Sequence, residues 1–317
     1  MLAAGVALLG QPRSVAGSIS GVVVNASQDG IPVGGAEVVL RVKLEGRFVT
    51  AAEGIADEQG RFLFDNIPAD EAYIYQPGAN REGIHYPGPR VRLNSRTPHA
   101  RVKLPARDTI SHPNPLILLR HEITIQPETD ALRVTETMLI ENPGSRTYVG
   151  RPAHEGGRAA TLRLSIPSDF RRTTFDNEFY GRQFTLFDGR LVTDVPWTPG
   201  RRKLEFTYVL PNDSHDRTWQ RPLDLLCDHL QLTVHTENPD EVACNLPRAA
   251  SQSTGTVTFE STGETLPAGH VVRLRLDRLP VSLAAYGRWL AVAVLVVLIS
   301  TTGWIGRSSV ARRLSAS

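Results

Sequence analysis

The chain has 317 residues, a length that suggests about two domains. Hydrophobic residues make up 41% of it, enough for packed cores, and the formal charge of +2 implies no nucleic-acid partner. Lys43, Lys103 and Lys203 are the only lysines, and the other basic residues are arginine, as a GC-rich bacterial coding bias would produce.

The chain begins MLAAGVALLGQPRSVAGS. A short apolar run from Leu2 to Leu9 precedes Ser14-Val15-Ala16, a small-x-small cleavage pattern before Gly17. Residues 1–16 are therefore expected to be a signal peptide. No basic residue precedes the apolar run, so either the start is set too late or the segment is not a signal. From Gly17 to Pro280 no sustained helical period occurs. Short alternating runs are broken by Gly, Pro, Asn and Asp, the pattern of an all-β chain. The first strands are expected at Ser18–Asn25, Ala36–Leu44 and Phe48–Ala56. Asp57 to Gly60 reads as a turn, with Gly60 suited to positive φ. Arg61–Phe64 follows, with Phe62 and Phe64 on one face, and Ile67-Pro68 is expected to close it. Tyr73–Tyr75 and His99–Leu104 complete about seven strands by Pro105.

Gly21, the turn from Pro32 to Ala36, Gly60, Phe62, Phe64 and Pro68 together make residues 17–105 resemble a carboxypeptidase regulatory-like domain. The resemblance implies a transthyretin-like β-sandwich of the carbohydrate-binding-like group. These are fold residues, and in that family the module is an appendage to enzymes, receptors and envelope proteins.

Ser111 to Pro115 reads as a linker stiffened by two prolines. Residues 106–280 are expected to form a second β-sandwich, Ig-like, with strands at Leu116–Ile125, Leu132–Glu141, Leu162–Ile166, Gln183–Phe187, Leu191–Val195, Leu204–Leu210, Leu230–Val234, Thr256–Phe259 and Val271–Leu276. Asp188-Gly189 is a hairpin signal of type I′. Glu136 falls on the apolar face of its strand with Leu132, Val134, Met138 and Ile140, so it is either at an edge or a satisfied carboxylate. Cys227 and Cys244 are an even pair. In an oxidising compartment they are expected to form a disulfide, closing a loop of about 17 residues and adding roughly 3 kcal/mol. The alternative is two buried free thiols.

Residues 281–306 are expected to be a transmembrane helix. Trp289 to Gly306 carries no charge and would span about 27 Å as a helix, close to a bilayer core. Tyr286, Trp289 and Trp304 would sit at the interfaces, and Arg307 begins a short basic tail, 307–317, placed in the cytoplasm by the positive-inside rule. Arg275, Arg278 and Arg288 on the other flank weigh against that orientation. The bilayer is thus the first expected partner, with the β domains in the periplasm or at the cell surface.

No enzymatic motif appears. No histidine has a glutamate three residues on, HExxH is absent, and His121-Glu122 and His154-Glu155 would point to opposite strand faces. No GxSxG elbow, phosphate-binding loop or dinucleotide fingerprint is present. No cofactor or metal is expected. One segment, Tyr75 to Arg90, reads as a long loop rich in Gly and Pro, and it marks Tyr75, Arg81, His85 and Tyr86 as a possible ligand loop. The expected function is a non-catalytic, membrane-anchored envelope protein that binds or scaffolds a protein partner or a polysaccharide. One alternative is a carbohydrate-binding module, which requires exposed aromatics and would be opposed by buried Tyr75 and Tyr86. Another is an enzyme of unrecognised class.

Overall fold

The computed structural model describes residues 15–279 apart from 153–156, 158, 177–183, 213, 251 and 252, together with 292, 294, 295 and 297. In chain order the strands are β1 (Ala16–Asn25), β2 (Ile31–Pro32), β3 (Glu37–Leu44), β4 (Arg47–Ile55), β5 (Arg61–Pro68), β6 (Tyr75–Arg81), β7 (Ile84–Pro87), β8 (His99–Ala106) and β9 (Thr109–Ile110). Next come β10 (Ile117–Pro127), β11 (Ala131–Asn142), β12 (Thr147–Tyr148), β13 (Arg151–Pro152), β14 (Ala159–Ala160), β15 (Leu162–Ser165), β16 (Arg172–Asp176), β17 (Thr185–Phe187) and β18 (Arg190–Thr193). The last are β19 (Gly200–Pro211), β20 (Arg217–Pro222), β21 (Leu230–His235), β22 (Val242–Cys244), β23 (Thr256–Glu260) and β24 (Val271–Leu276). The fold is all-β, built from several sheets, as the alternating sequence predicts.

The chain divides into two compact units. The first holds residues 1–115, 142–161 and 195–200, and the second holds 116–141, 162–194 and 201–317. The first break falls at Pro115, within the predicted linker. The two later excursions, 142–161 and 195–200, depart from the simple tandem division at residue 105.

In the first unit, β1 is central. It pairs antiparallel with β5 and β2 and parallel with β8, from Ser18 opposite His99 to Asn25 opposite Ala106. A second sheet runs β4-β3-β6-β7. Alternation turns Ile19, Val23, Phe62, Phe64 and Leu104 of the first sheet and Val38, Leu40, Val42, Tyr75, Ala79 and Tyr86 of the second into one shared core. Gly60 takes φ +73 as the turn demands, and the Asp57 carboxylate accepts the backbone N–H of Gln59 and Arg61. β5 runs past Phe64 and ends at Pro68, as expected, and Pro68 pairs with Ala16 at the strand's end, where its missing N–H costs little.

In the second unit, six strands run β16-β19-β11-β10-β21-β23, with β20-β24-β22 and β15-β18-β17 as separate three-stranded sheets. The Asp188-Gly189 turn has φ 50 and 68, the expected type I′ signature, and joins β17 to β18. β11 lies inside the six-stranded sheet with Leu132, Val134, Glu136, Met138 and Ile140 all buried. Glu136 is therefore a satisfied interior carboxylate and not an edge residue.

The predicted disulfide is not formed. Cys227 and Cys244 are free thiols. They belong to different ladders: Cys227 bridges Leu118 and Leu266, whereas Cys244 pairs with Leu274 in β24. Of the expected signal peptide only Val15 and Ala16 are described, and Ala16 opens β1; the anchors Tyr286, Trp289, Trp304 and Arg307 lie outside the described residues. Within the expected transmembrane segment Val292, Val294, Leu295 and Val297 are helical and exposed. Among the described residues no helix is long and apolar enough to cross a membrane.

Candidate functional site

The segment from Tyr75 to Arg90, expected to be a long loop, is mostly a β-hairpin. β6 and β7 pair with Gly78 opposite Pro87, Asn80 opposite His85 and Arg81 opposite Ile84. Glu82 and Gly83 turn the chain with φ 52 and 75. Pro77 and Pro87, read as loop formers, sit within strands. The pleat then sorts the four predicted ligand residues.

Tyr75 and Tyr86 point inward and are each 3% exposed. The Tyr75 hydroxyl donates to the Pro68 carbonyl at 2.9 Å. The Tyr86 hydroxyl donates to the Arg107 carbonyl at 3.2 Å and meets the Thr147 hydroxyl at 2.9 Å. Burial raises both phenol pKa values, for Tyr75 with the help of the nearby Tyr73 and Asp70 charges. Neither ring can stack on a sugar, so the aromatic ligand platform is withdrawn.

Arg81 and His85 remain outside the core. The Arg81 guanidinium meets the Asp108 carboxylate at 2.7 Å. Asp108 also accepts from Asn25 and Gln28, and these hydrogen bonds, Asn25 first, hold its pKa below the usual value. The hairpin is thereby tied to the end of β1. His85 lies on the outer face of the β4-β3-β6-β7 sheet, where it lines a trough of about 330 Å³ with Glu37, Arg41, Asn80, Arg81, Glu82 and Gly83. Gly78 makes the room: a Cβ there would lie 2.4 Å from His85 Cε1. His85 Nδ1 is 2.7 Å from Asn80 Oδ1, and Asn80 Nδ2 donates to Glu37 Oε2 at 3.0 Å. Burial lowers the His85 pKa, and the Arg41 charge lowers it further.

The second unit carries a different cluster, which the sequence reading reached only at Glu136. The Arg221 Nε on β20 donates to Glu136 at 3.0 Å, and its Nη1 donates to Asp224 at 2.7 Å. The His121 Nε2 on β10 lies 2.9 Å from Glu136 Oε2. The Tyr208 hydroxyl on β19 donates to Glu136 Oε1 at 2.9 Å and accepts from Trp219 Nε1 at 3.2 Å. The side chains of His121, Glu136 and Arg221 are at most 1% exposed. Burial alone would raise the Glu136 pKa, but the Arg221 charge and the His121 contact bring it down to about 2. Burial and the same carboxylate push Tyr208 well above the phenol range. Such residues at alternate strand positions resemble surface polars in sequence, and only the sheet arrangement shows that they face one another.

A larger cavity of about 650 Å³ in the second unit is lined by His235, Glu237, Glu241 and Arg278 among others. Within that lining Arg278 and Glu241 pair at 2.9 Å. Among the described residues no group of three or more metal-ligating side chains comes together.

No family model matches this chain, and no curated protein matches it. Among solved structures, native yeast LTA4 hydrolase and yeast LTA4 hydrolase in complex with bestatin each align at 12% identity with a TM-score of 0.33. Each alignment covers 51% of this chain and 29% of that one, so the chain spans under a third of the structures it matches. A likeness this slight carries no argument about activity.

Proposed function

We propose that this chain is a non-catalytic, membrane-anchored protein of the cell envelope, whose β-sandwich units bind or scaffold a partner. One observation carries the reading. Three buried ionisable groups of the second unit with perturbed pKa values, Glu136, Arg221 and Tyr208, meet together with His121 at the Glu136 carboxylate and are closed off from solvent. Groups arranged for catalysis must reach a substrate, whereas these tie β10, β11, β19 and β20 together. The uncharged stretch from Trp289 to Gly306 supplies the anchor in this reading. The resemblance of residues 17–105 to a carboxypeptidase regulatory-like domain, an appendage module, agrees with it.

The test is extraction of native membranes with alkaline carbonate, followed by gentle solubilisation, affinity capture of the full chain and mass spectrometry. The chain is expected to stay in the carbonate pellet and to carry a stoichiometric protein partner. Release by carbonate would overturn the anchor. Retention without any partner would overturn the scaffold role.

A further inference from the structure

The trough on the outer face of the first unit has a defined pattern of hydrogen-bonding groups. Glu37 is a carboxylate and can only accept, so the atom of Asn80 facing it is the amide nitrogen, and Asn80 Oδ1 turns to His85. Oδ1 is likewise only an acceptor, so His85 Nδ1 carries the proton and donates at 2.7 Å. Nε2 is left with its lone pair. It lies above Gly78, where an added Cβ would come within 2.8 Å of it, and no described group hydrogen-bonds to it. Burial and the Arg41 charge both favour the neutral ring, so the lone pair persists at neutral pH.

Arg41 stands at one end of the trough and makes no ion pair among the described residues. Glu37 stands four residues away on the same strand face, about 13 Å along β3 at the usual rise. Between them Val39 pairs with Gly78, so the His85 ring occupies the middle. A free guanidinium fork, a fixed acceptor and a carboxylate thus follow one another along a trough of about 330 Å³, at the small end of ligand pockets.

We propose that this trough binds a carboxylated sugar, a uronic acid, with its carboxylate on Arg41 and its hydroxyls donating to His85 Nε2 and Glu37. The fork matches a carboxylate in bidentate geometry. Glu37 and Glu82 at the other end disfavour a doubly charged phosphate. Two acceptors spaced along the trough call for hydroxyl donors at separate positions of one small molecule, which a sugar ring supplies. Recognition is polar and needs no stacking aromatic. The inference rests on the binding role proposed above and names its ligand class, but it does not depend on the anchor or on a protein partner.

The experiment is titration calorimetry on the full chain in detergent micelles, with sodium glucuronate, glucose and glycine as separate ligands. Glucuronate is expected to bind, with glucose and glycine at least tenfold weaker. Arg41→Gln, a substitution on an outward face, should weaken glucuronate at least tenfold while the thermal melt is unchanged. Gly78→Ala, which must displace the His85 ring, should do the same to binding. Glucose binding as tightly as glucuronate, glycine binding as tightly, no heat with any ligand, or an unaffected Arg41→Gln chain would each overturn the proposal. A partner captured from membranes alongside a failed titration would leave the scaffold reading standing and remove only this site.

Discussion

Glu136 and Arg221 lie 85 residues apart in sequence and meet at 3.0 Å in the interior of the second unit. Their strands belong to different sheets, so the pair fastens one sheet to the other. Removing the cation alone strands a buried carboxylate. Arg221→Met is expected to cost about 3–5 kcal/mol in urea unfolding. The double variant Glu136→Met with Arg221→Met should recover part of that loss, because two apolar side chains need no partner. A double variant no more stable than Arg221→Met would contradict this account.

Acid should weaken the same tie. The folded-state pKa of Glu136 is depressed from 4.5 to about 2. Its contribution is therefore fully present above about pH 4.5 and is lost as the pH falls through about 2. The stability gap between the wild-type chain and Glu136→Gln, followed by urea midpoints, should be widest above pH 5 and narrow steadily toward pH 2. A gap independent of pH would show that the ionised carboxylate is not what stabilises the core.

Gly21 is a packing requirement. A Cβ at this position in β1 would fall 2.0 Å from the Val102 carbonyl oxygen and 2.9 Å from the Phe62 ring. The obstacle is backbone and cannot rotate away. Gly21→Ala is expected to destabilise the first unit by about 1–3 kcal/mol or more, read as a lowered denaturation midpoint with an unchanged slope. The second unit serves as the internal control.

The free thiols should differ in reactivity. Burial pushes Cys227 up to about 12, while Cys244 is raised too but remains partly exposed. Under native conditions a maleimide is expected to modify Cys244 slowly and Cys227 only after unfolding. Peptide mapping distinguishes the two. A native preparation that takes up no maleimide even in denaturant would restore the disulfide.

Much of the strand pattern was legible because alternation is a direct imprint of the pleat. Val271–Leu276 has its predicted bounds in β24, and Asp188-Gly189 turns as its sequence requires. The hairpin at Tyr75 was hidden because Pro77, Gly78 and Pro87 look like breakers. Gly78 is small because the His85 ring lies over it, a relation invisible until the strands are paired. β20 was missed because its inward positions are Trp219 and Arg221, and an inward arginine reads as a surface residue. The Arg41–His85–Glu37 trough was half legible: His85 and Arg81 were singled out, but Arg41 and Glu37 come from another strand. The interleaving of the two units has no local signature, since it is decided by contacts between distant segments.

The parallel pairing of β1 with β8 carries a consequence for how the molecule is made. The first strand of the chain waits for a neighbour about 80 residues later, and such distant pairings close slowly. Even then the first unit is unfinished, because Thr147 completes the hydrogen bonding of Tyr86 and Val149 packs against the core. A nascent chain stopped at residue 105 would present an unclosed apolar interior to its surroundings. Synthesis must pass Val149 before the amino-terminal half has its full set of packing partners.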